Sequence, residues 1–288
     1  MKPITCLALF LVIASVISGC VSAGSTIVPV QAETPTLLPT PIPPTSISTF
    51  TSTVTVTPTL PATMEPERAN ELVRTFLQEP VDCKAPCFWG IEPGLTTFDE
   101  AKKAFTHLGI KLKFTATTDG KDFYAAIYNL DNGIRVSPVL GIQNNTVKSL
   151  DVGININDTN LMGTPRKWSA YSPETLISRY GPPSRVDFFL GRVAPTPIHS
   201  MILYFETVHL IVEYLGTNIL NDGPGLEICP LTNKVDFLKI WMGDDPRHPP
   251  SFGVPLEKAT SLTLGEFSKL MTGNLNLACF KLKEEMFP

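Results

Sequence analysis

Apolar positions divide the chain into three regimes. Ile4–Ile17 is almost wholly apolar. From Thr34 to Thr63 the apolar residues stand singly or in pairs among threonines, prolines and serines. Beyond Pro66 they become periodic, as in elements that bury one face. Four stretches have helical spacing. Leu72, Val73, Phe76 and Leu77 follow Pro66 and stop before Pro80. Ala101, Ala104, Phe105 and Leu108 follow Thr97-Phe98-Asp99-Glu100, a capping box whose hydroxyl and carboxylate satisfy orphan N–H groups reciprocally. Leu176, Ile177 and Tyr180 follow Ser172-Pro173 and end at Gly181-Pro182-Pro183. Phe267, Leu270 and Met271 follow a second capping box, Thr263 to Glu266, and close at Gly273.

Between these helices the pattern becomes strand-like. Leu112–Ala116, Phe123–Leu130, Ile134–Ile142 and Val147–Ile154 are separated by the turn formers Thr118-Asp119-Gly120, Asp131-Asn132-Gly133 and Asn144-Asn145. Val186–Leu190, Met201–Phe205, Val208–Leu215 and Val235–Met242 follow the third helix. The pattern predicts an α+β fold of two tandem helix-plus-antiparallel-sheet units, about 97–154 and 172–242. Helices lie on one face, with an N-terminal helix and a C-terminal helix at about 263–273 added.

Composition explains the first two regimes. Formal net charge is -4, from 23 basic and 27 acidic residues, which disfavours a nucleic-acid-binding surface. From Glu67 onward about one residue in five is charged, ordinary for a globular body. Lys2 followed by a short apolar run and small residues reads as a secretion signal over residues 1–19. Ile17-Ser18-Gly19-Cys20 resembles the lipobox of bacterial lipoproteins. That resemblance implies cleavage before Cys20 and lipid attachment at its sulfur, and two or more acyl chains make a stable anchor. The expected location is the outer face of a cell-envelope membrane. Residues 20–65 then read as a stalk. Of the 30 residues from Thr34 to Thr63, 21 are Thr, Pro or Ser, a composition that cannot build a core. The globular body is expected over 66–288.

In an exported body the four remaining cysteines, Cys83, Cys87, Cys229 and Cys279, read as two disulfides. Three connectivities are possible. Cys83–Cys87 as a local staple and Cys229–Cys279 as a tie for the C-terminal tail are favoured.

Gly90-Ile91-Glu92-Pro93-Gly94-Leu95-Thr96-Thr97, with the following helix and Leu108-Gly109, resembles the opening of small lipoprotein domains of the SmpA/OmlA type. Tyr180-Gly181-Pro182-Pro183 resembles the complementary half. The tandem units also resemble β-lactamase-inhibitor-like domains. Every matched residue is a cap or turn former, so the resemblance implies a fold and a binding or scaffolding role and assigns no functional residue. The whole chain resembles exported lipoproteins with threonine/proline stalks.

Catalytic templates such as G-x-S-x-G or H-E-x-x-H do not occur. His107, His199, His209 and His248 are far apart, and His209 reads as a strand residue. Asp244, Asp245 and His248 share one loop, where two carboxylates and an imidazole could serve as acid and base; a solvated turn explains them as well. Phe88, Trp89, Trp168 and Tyr171 read equally as partner-binding loop aromatics or as core. No metal or cofactor is implied. The reading is a lipid-tethered, monomeric, non-catalytic binding or scaffold module with an envelope protein or glycan partner. The alternatives are a hydrolase using the Asp244/Asp245/His248 loop, or an enzyme-inhibitor-like module.

Overall fold

A computed structural model describes residues 63–83, 85–130, 133–156, 168–193, 196–216, 226–228, 235–244, 253–273, 279–283 and 285. The chain divides into two units, Met1–Val56 and Thr57–Pro288. All described residues belong to the second. The signal segment, Cys20 and all of the stalk but its last three residues lie outside them.

The described elements run in this order. Helix α1 spans Pro66–Gln78 and α2 Phe98–His107. Five strands follow: β1 (Lys113–Thr118), β2 (Lys121–Ala125), β3 (Tyr128–Asn129), β4 (Ile134–Gln143) and β5 (Thr146–Ile156). Helix α3 (Pro173–Tyr180) precedes β6 (Arg185–Val193), β7 (Thr196–Phe205), β8 (Leu210–Gly216), β9 (Leu226–Ile228) and β10 (Val235–Gly243). The chain closes with β11 (Val254–Pro255), α4 (Leu256–Ala259), α5 (Leu264–Thr272) and β12 (Phe280–Leu282).

Local chemistry sets the helix boundaries. Thr97 and Glu100 form a reciprocal capping box, as do Thr263 and Glu266. In each box the bonds from threonine hold the exposed carboxyl below its ordinary pKa. The Ser172 hydroxyl accepts from the Thr175 N–H, with Pro173 at the first turn. Two-residue hairpins join β1 to β2 through Asp119-Gly120 and β4 to β5 through Asn144-Asn145. All four residues have positive φ, as the strand-matching turn requires.

Ten strands form one antiparallel sheet in the order β1-β2-β4-β5-β10-β8-β7-β6-β11, with β3 also pairing β4. The expected α+β fold of two tandem helix-plus-sheet units is thereby corrected. The molecule is dominated by a single large sheet with few helices. The two meanders fuse because β5 and β10, each the last long strand of its half, pair with one another from Asn155↔Phe237 to Ser149↔Gly243. Unpaired, both would be long exposed edges.

Three local expectations also change. The run Phe123–Leu130 breaks into β2 and β3. Facing the break is Pro138, which has no N–H to donate and whose carbonyl accepts from the Ala126 N–H at 3.0 Å. His209 is not a strand residue: it is exposed, at φ 51°, in the turn before β8. A second, two-stranded sheet, β9 with β12, was not anticipated.

All the described helices lie on one face, and the other face is helix-free among the described residues. Val73, Leu77, Ala101, Phe105, Leu176, Ile177, Phe267 and Met271 share a core with Val136, Leu150, Val152, Leu203, Val212, Leu238 and Ile240. Each fully buried Leu, Ile or Phe here contributes roughly 1.5–3 kcal/mol. Cys83 and Cys87 form a disulfide. The Arg179 guanidinium donates to the carbonyls of Val81 (2.9 Å) and Cys83 (3.0 Å), fastening this loop to α3. Cys279 is also disulfide-bonded. Since Cys83 and Cys87 hold each other, its partner is one of the other cysteines, and Cys229 lies outside the described residues.

His199 sits on the helix-covered face of β7, 3% exposed, with Nδ1 unpartnered. Burial pushes its imidazole down to about 4 from 6.5, and Asp236 opposes the shift only in part. The fold therefore holds the neutral ring, while the unfolded chain binds a proton below pH 6.5. Stability is full above pH 6.5 and falls as pH drops toward 4, by on the order of 3 kcal/mol. Urea unfolding at pH 7 and pH 4.5 should show this loss, and His199→Gln should shrink it. An unchanged pH slope in His199→Gln would remove His199 as its source.

Candidate functional site

The register assigns every strand residue to one of two faces. Leu238, Ile240 and Met242 of β10 face the helices, so Phe237, Lys239 and Trp241 face away. Following the pairs across the sheet gives two rows on the helix-free face. The first runs Arg185, Tyr204, Ile211, Trp241, Asp151 and Val139. The second runs Asp187, Ile202, Glu213, Lys239, Gly153 and Ser137.

Tyr204, Ile202, Ile211 and Trp241 form a second, small apolar cluster separate from the main core. Cations cover its rings. The Arg185 guanidinium lies 4.2 Å from the Tyr204 ring centroid, and the Lys239 ammonium lies 4.6 Å from that of Trp241. Each cation also has a carboxylate. Arg185 forks onto both oxygens of Asp187 and donates to the Tyr204 hydroxyl at 3.2 Å. Lys239 Nζ is 3.6 Å from Asp151. Ser200 donates to Glu213 at 2.7 Å.

Burial separates the roles within these pairs. The Asp187 side chain is 3% exposed and Arg185 48%; Asp151 is 21% exposed and Lys239 33%. Gly253 approaches Asp187 so closely that a Cβ there would lie 2.7 Å from the aspartate Cβ. The carboxylates are thus the buried supports and the cations are the groups presented. Burial, followed by the Asp187 carboxylate, pushes the Tyr204 hydroxyl up to about 12, so it stays protonated. The hydrogen bonds that Arg185 donates to Asp187 likewise keep the guanidinium charged. Phe237 lies over Gly153, 3.3 Å from where a Cβ would stand, and closes the hollow left by the glycine.

The anticipated site residues fall elsewhere. Phe88, Trp89 and Tyr171 are buried, at 0%, 6% and 8% exposure, and Trp168 is half-buried. Trp89 packs at 4.6 Å from Phe88 and 5.9 Å from Phe105, and Phe88 at 5.8 Å from Tyr171. They form an aromatic core under α1 and α2 rather than a loop surface. Asp244 is exposed, and its N–H donates to the Lys148 carbonyl. Its loop companions Asp245 and His248 lie outside the described residues, as does Cys20. Among the described residues no three His, Cys, Asp or Glu side chains gather to hold a metal ion. None of the described helices is long and apolar enough to cross a membrane.

The helix-free face escaped the sequence reading, although its signal was present. Arg185, Asp187 and Phe189, like Phe237, Lys239 and Trp241, alternate with Val186, Phe188, Leu238 and Ile240. That period of two marks a second face with its own chemistry. No family model, curated protein or solved structure matches the chain.

Removing Arg185 leaves the buried Asp187 carboxylate unpaired and uncovers Tyr204. With Arg185 half in solvent, Arg185→Met should cost about 2 kcal/mol in chemical denaturation. Arg185→Met combined with Asp187→Leu should recover most of that. A single variant as stable as the parent would show that the pair does not organise this face.

Proposed function

We propose that the chain is a lipid-tethered, non-catalytic binding or scaffold module of the cell envelope that engages a protein partner through the helix-free face of its sheet. The observation that carries this reading is the pairing on that face. Arg185 and Lys239 are each backed by a ring and a carboxylate, which fixes them in place before any partner arrives. Groups fixed in this way lose little side-chain entropy on binding. Tyr204 and Trp241 are themselves covered, so their ring faces are not offered for stacking against a sugar. A protein partner reading the cations from above fits better than a glycan.

The anchor half of the proposal rests on Ile17-Ser18-Gly19-Cys20, and the stalk supplies reach. At ~3 Å per residue, the 30 residues from Thr34 to Thr63 could hold the body up to roughly 90 Å from the membrane. The combination suits a module that samples partners at a distance from its membrane.

Photo-crosslinking in cells tests both halves. A photoreactive residue at Lys239 or Arg135 of the full chain should capture a partner, while one at Lys102 on α2 should not. Cys20→Ala should abolish metabolic lipid labelling and release the protein from the membrane. Capture from Lys102 alone would move the partner to the helical face. Retention at the membrane without lipid would overturn the anchor.

A further inference from the structure

The two ends of the ten-stranded sheet are built differently. At one end, β11 is only two residues long, carries Pro255, and passes directly into α4. A short edge that ends in proline and turns into a helix gives another strand nothing to pair with. At the other end stands β1, six residues long, every one of them exposed. Among the described strands it pairs only with β2. Its sequence, Lys113-Phe114-Thr115-Ala116-Thr117-Thr118, contains no proline and a single charge, which stands at one end rather than mid-strand. The usual protections of an edge are absent apart from one irregularity of register between Phe114 and Ala116.

Phe114 adds side-chain chemistry to this bare backbone. It is 57% exposed, one of three large apolar side chains so exposed among the described residues. It ends an aromatic ladder: Phe98 lies 4.4 Å from Tyr124, and Tyr124 lies edge-on 5.7 Å from Phe114. The next position in that ladder would fall beyond β1, where no described strand lies. Lys113, beside Phe114, faces the opposite side of the sheet.

We propose that β1 is a strand-addition site that takes an extended segment of a partner protein in antiparallel register. Main-chain hydrogen bonds to the free edge supply affinity. An apolar residue opposite Phe114 continues the aromatic ladder, and an acidic residue next to it pairs with Lys113. The partner segment therefore carries an aromatic or β-branched residue followed by a carboxylate, with no proline. A flexible segment can follow the irregularity at Phe114–Ala116. A second copy of this chain would set two such irregularities against each other. The proposal rests on reading the body as a binding module but uses a surface distinct from the helix-free face.

The test uses the full lipidated chain in detergent micelles and a fluorescein-labelled peptide, Thr-Val-Thr-Phe-Glu-Thr-Val-Thr, read by anisotropy. Saturable binding is expected. N-methylation of alternate peptide residues should abolish binding in one phase and spare it in the other, because only every second N–H of an added strand faces the edge. Phe114→Ala should weaken binding by about tenfold, in line with a lost aromatic anchor. The N-methyl series leaves the protein unchanged, so it stands even if the variant folds poorly. No binding up to millimolar peptide, or equal binding in both N-methyl phases, would overturn the proposal. So would ultracentrifugation showing a dimer that Phe114→Ala converts to monomer, since the edge would then belong to a second copy. Cross-linking at Lys239 reports on the other surface, so failure there is separable from failure here.

Discussion

Seven consecutive residue pairs between β5 and β10, from Asn155↔Phe237 to Ser149↔Gly243, hold the two halves of the sheet together. Both flanks depend on this seam. On the helix side it brings Leu150, Val152 and Ile154 against Leu238, Ile240 and Met242, so the helices of both halves cover one continuous core. On the other side it sets Trp241 between Asp151 and Ile211, and Lys239 within reach of Asp151. Gly243 marks its end. Its φ of +98° is one that side chains rarely adopt, and a Cβ there would collide with the Lys148 carbonyl.

The seam also determines which edges remain. Joining the two meanders through their last long strands removes β5 and β10 as edges and leaves β1 and β11 outermost. One of these is closed by Pro255 and α4, and the other is open among the described residues. An account in which binding is the function has two surfaces to consider. The helix-free face carries pre-positioned cations, and the β1 edge carries unpaired backbone beside Phe114. Both are consequences of the strand order.

Local structure was legible in the sequence where one residue decides it. The Thr97/Glu100 and Thr263/Glu266 boxes, Ser172-Pro173, and the turns at Asp119-Gly120 and Asn144-Asn145 are all determined within a few residues. Strand order was not legible. The pairing of Ile154 with Leu238 joins residues far apart in the chain, and two aliphatic strands carry no mark of which neighbour they will take. A repeat of helix and meander therefore read as two separate units. Trp89 and Tyr171 read ambiguously for a related reason. Aromatics beside prolines and cysteines look like loop residues until α1 and α2 are known to close over them. The Arg185, Asp187 and Tyr204 grouping needs the β6–β7 register before it can be seen at all.

Native-state hydrogen exchange on the amides of Thr146–Ile156 and Val235–Gly243 tests the seam most directly. If one sheet joined at β5 and β10 governs the fold, these amides exchange slowest, share a common opening free energy, and lose protection together as urea is raised. Two separate openings, one for residues 97–154 and another for 172–242, with fast exchange along β5 and β10, would contradict the account.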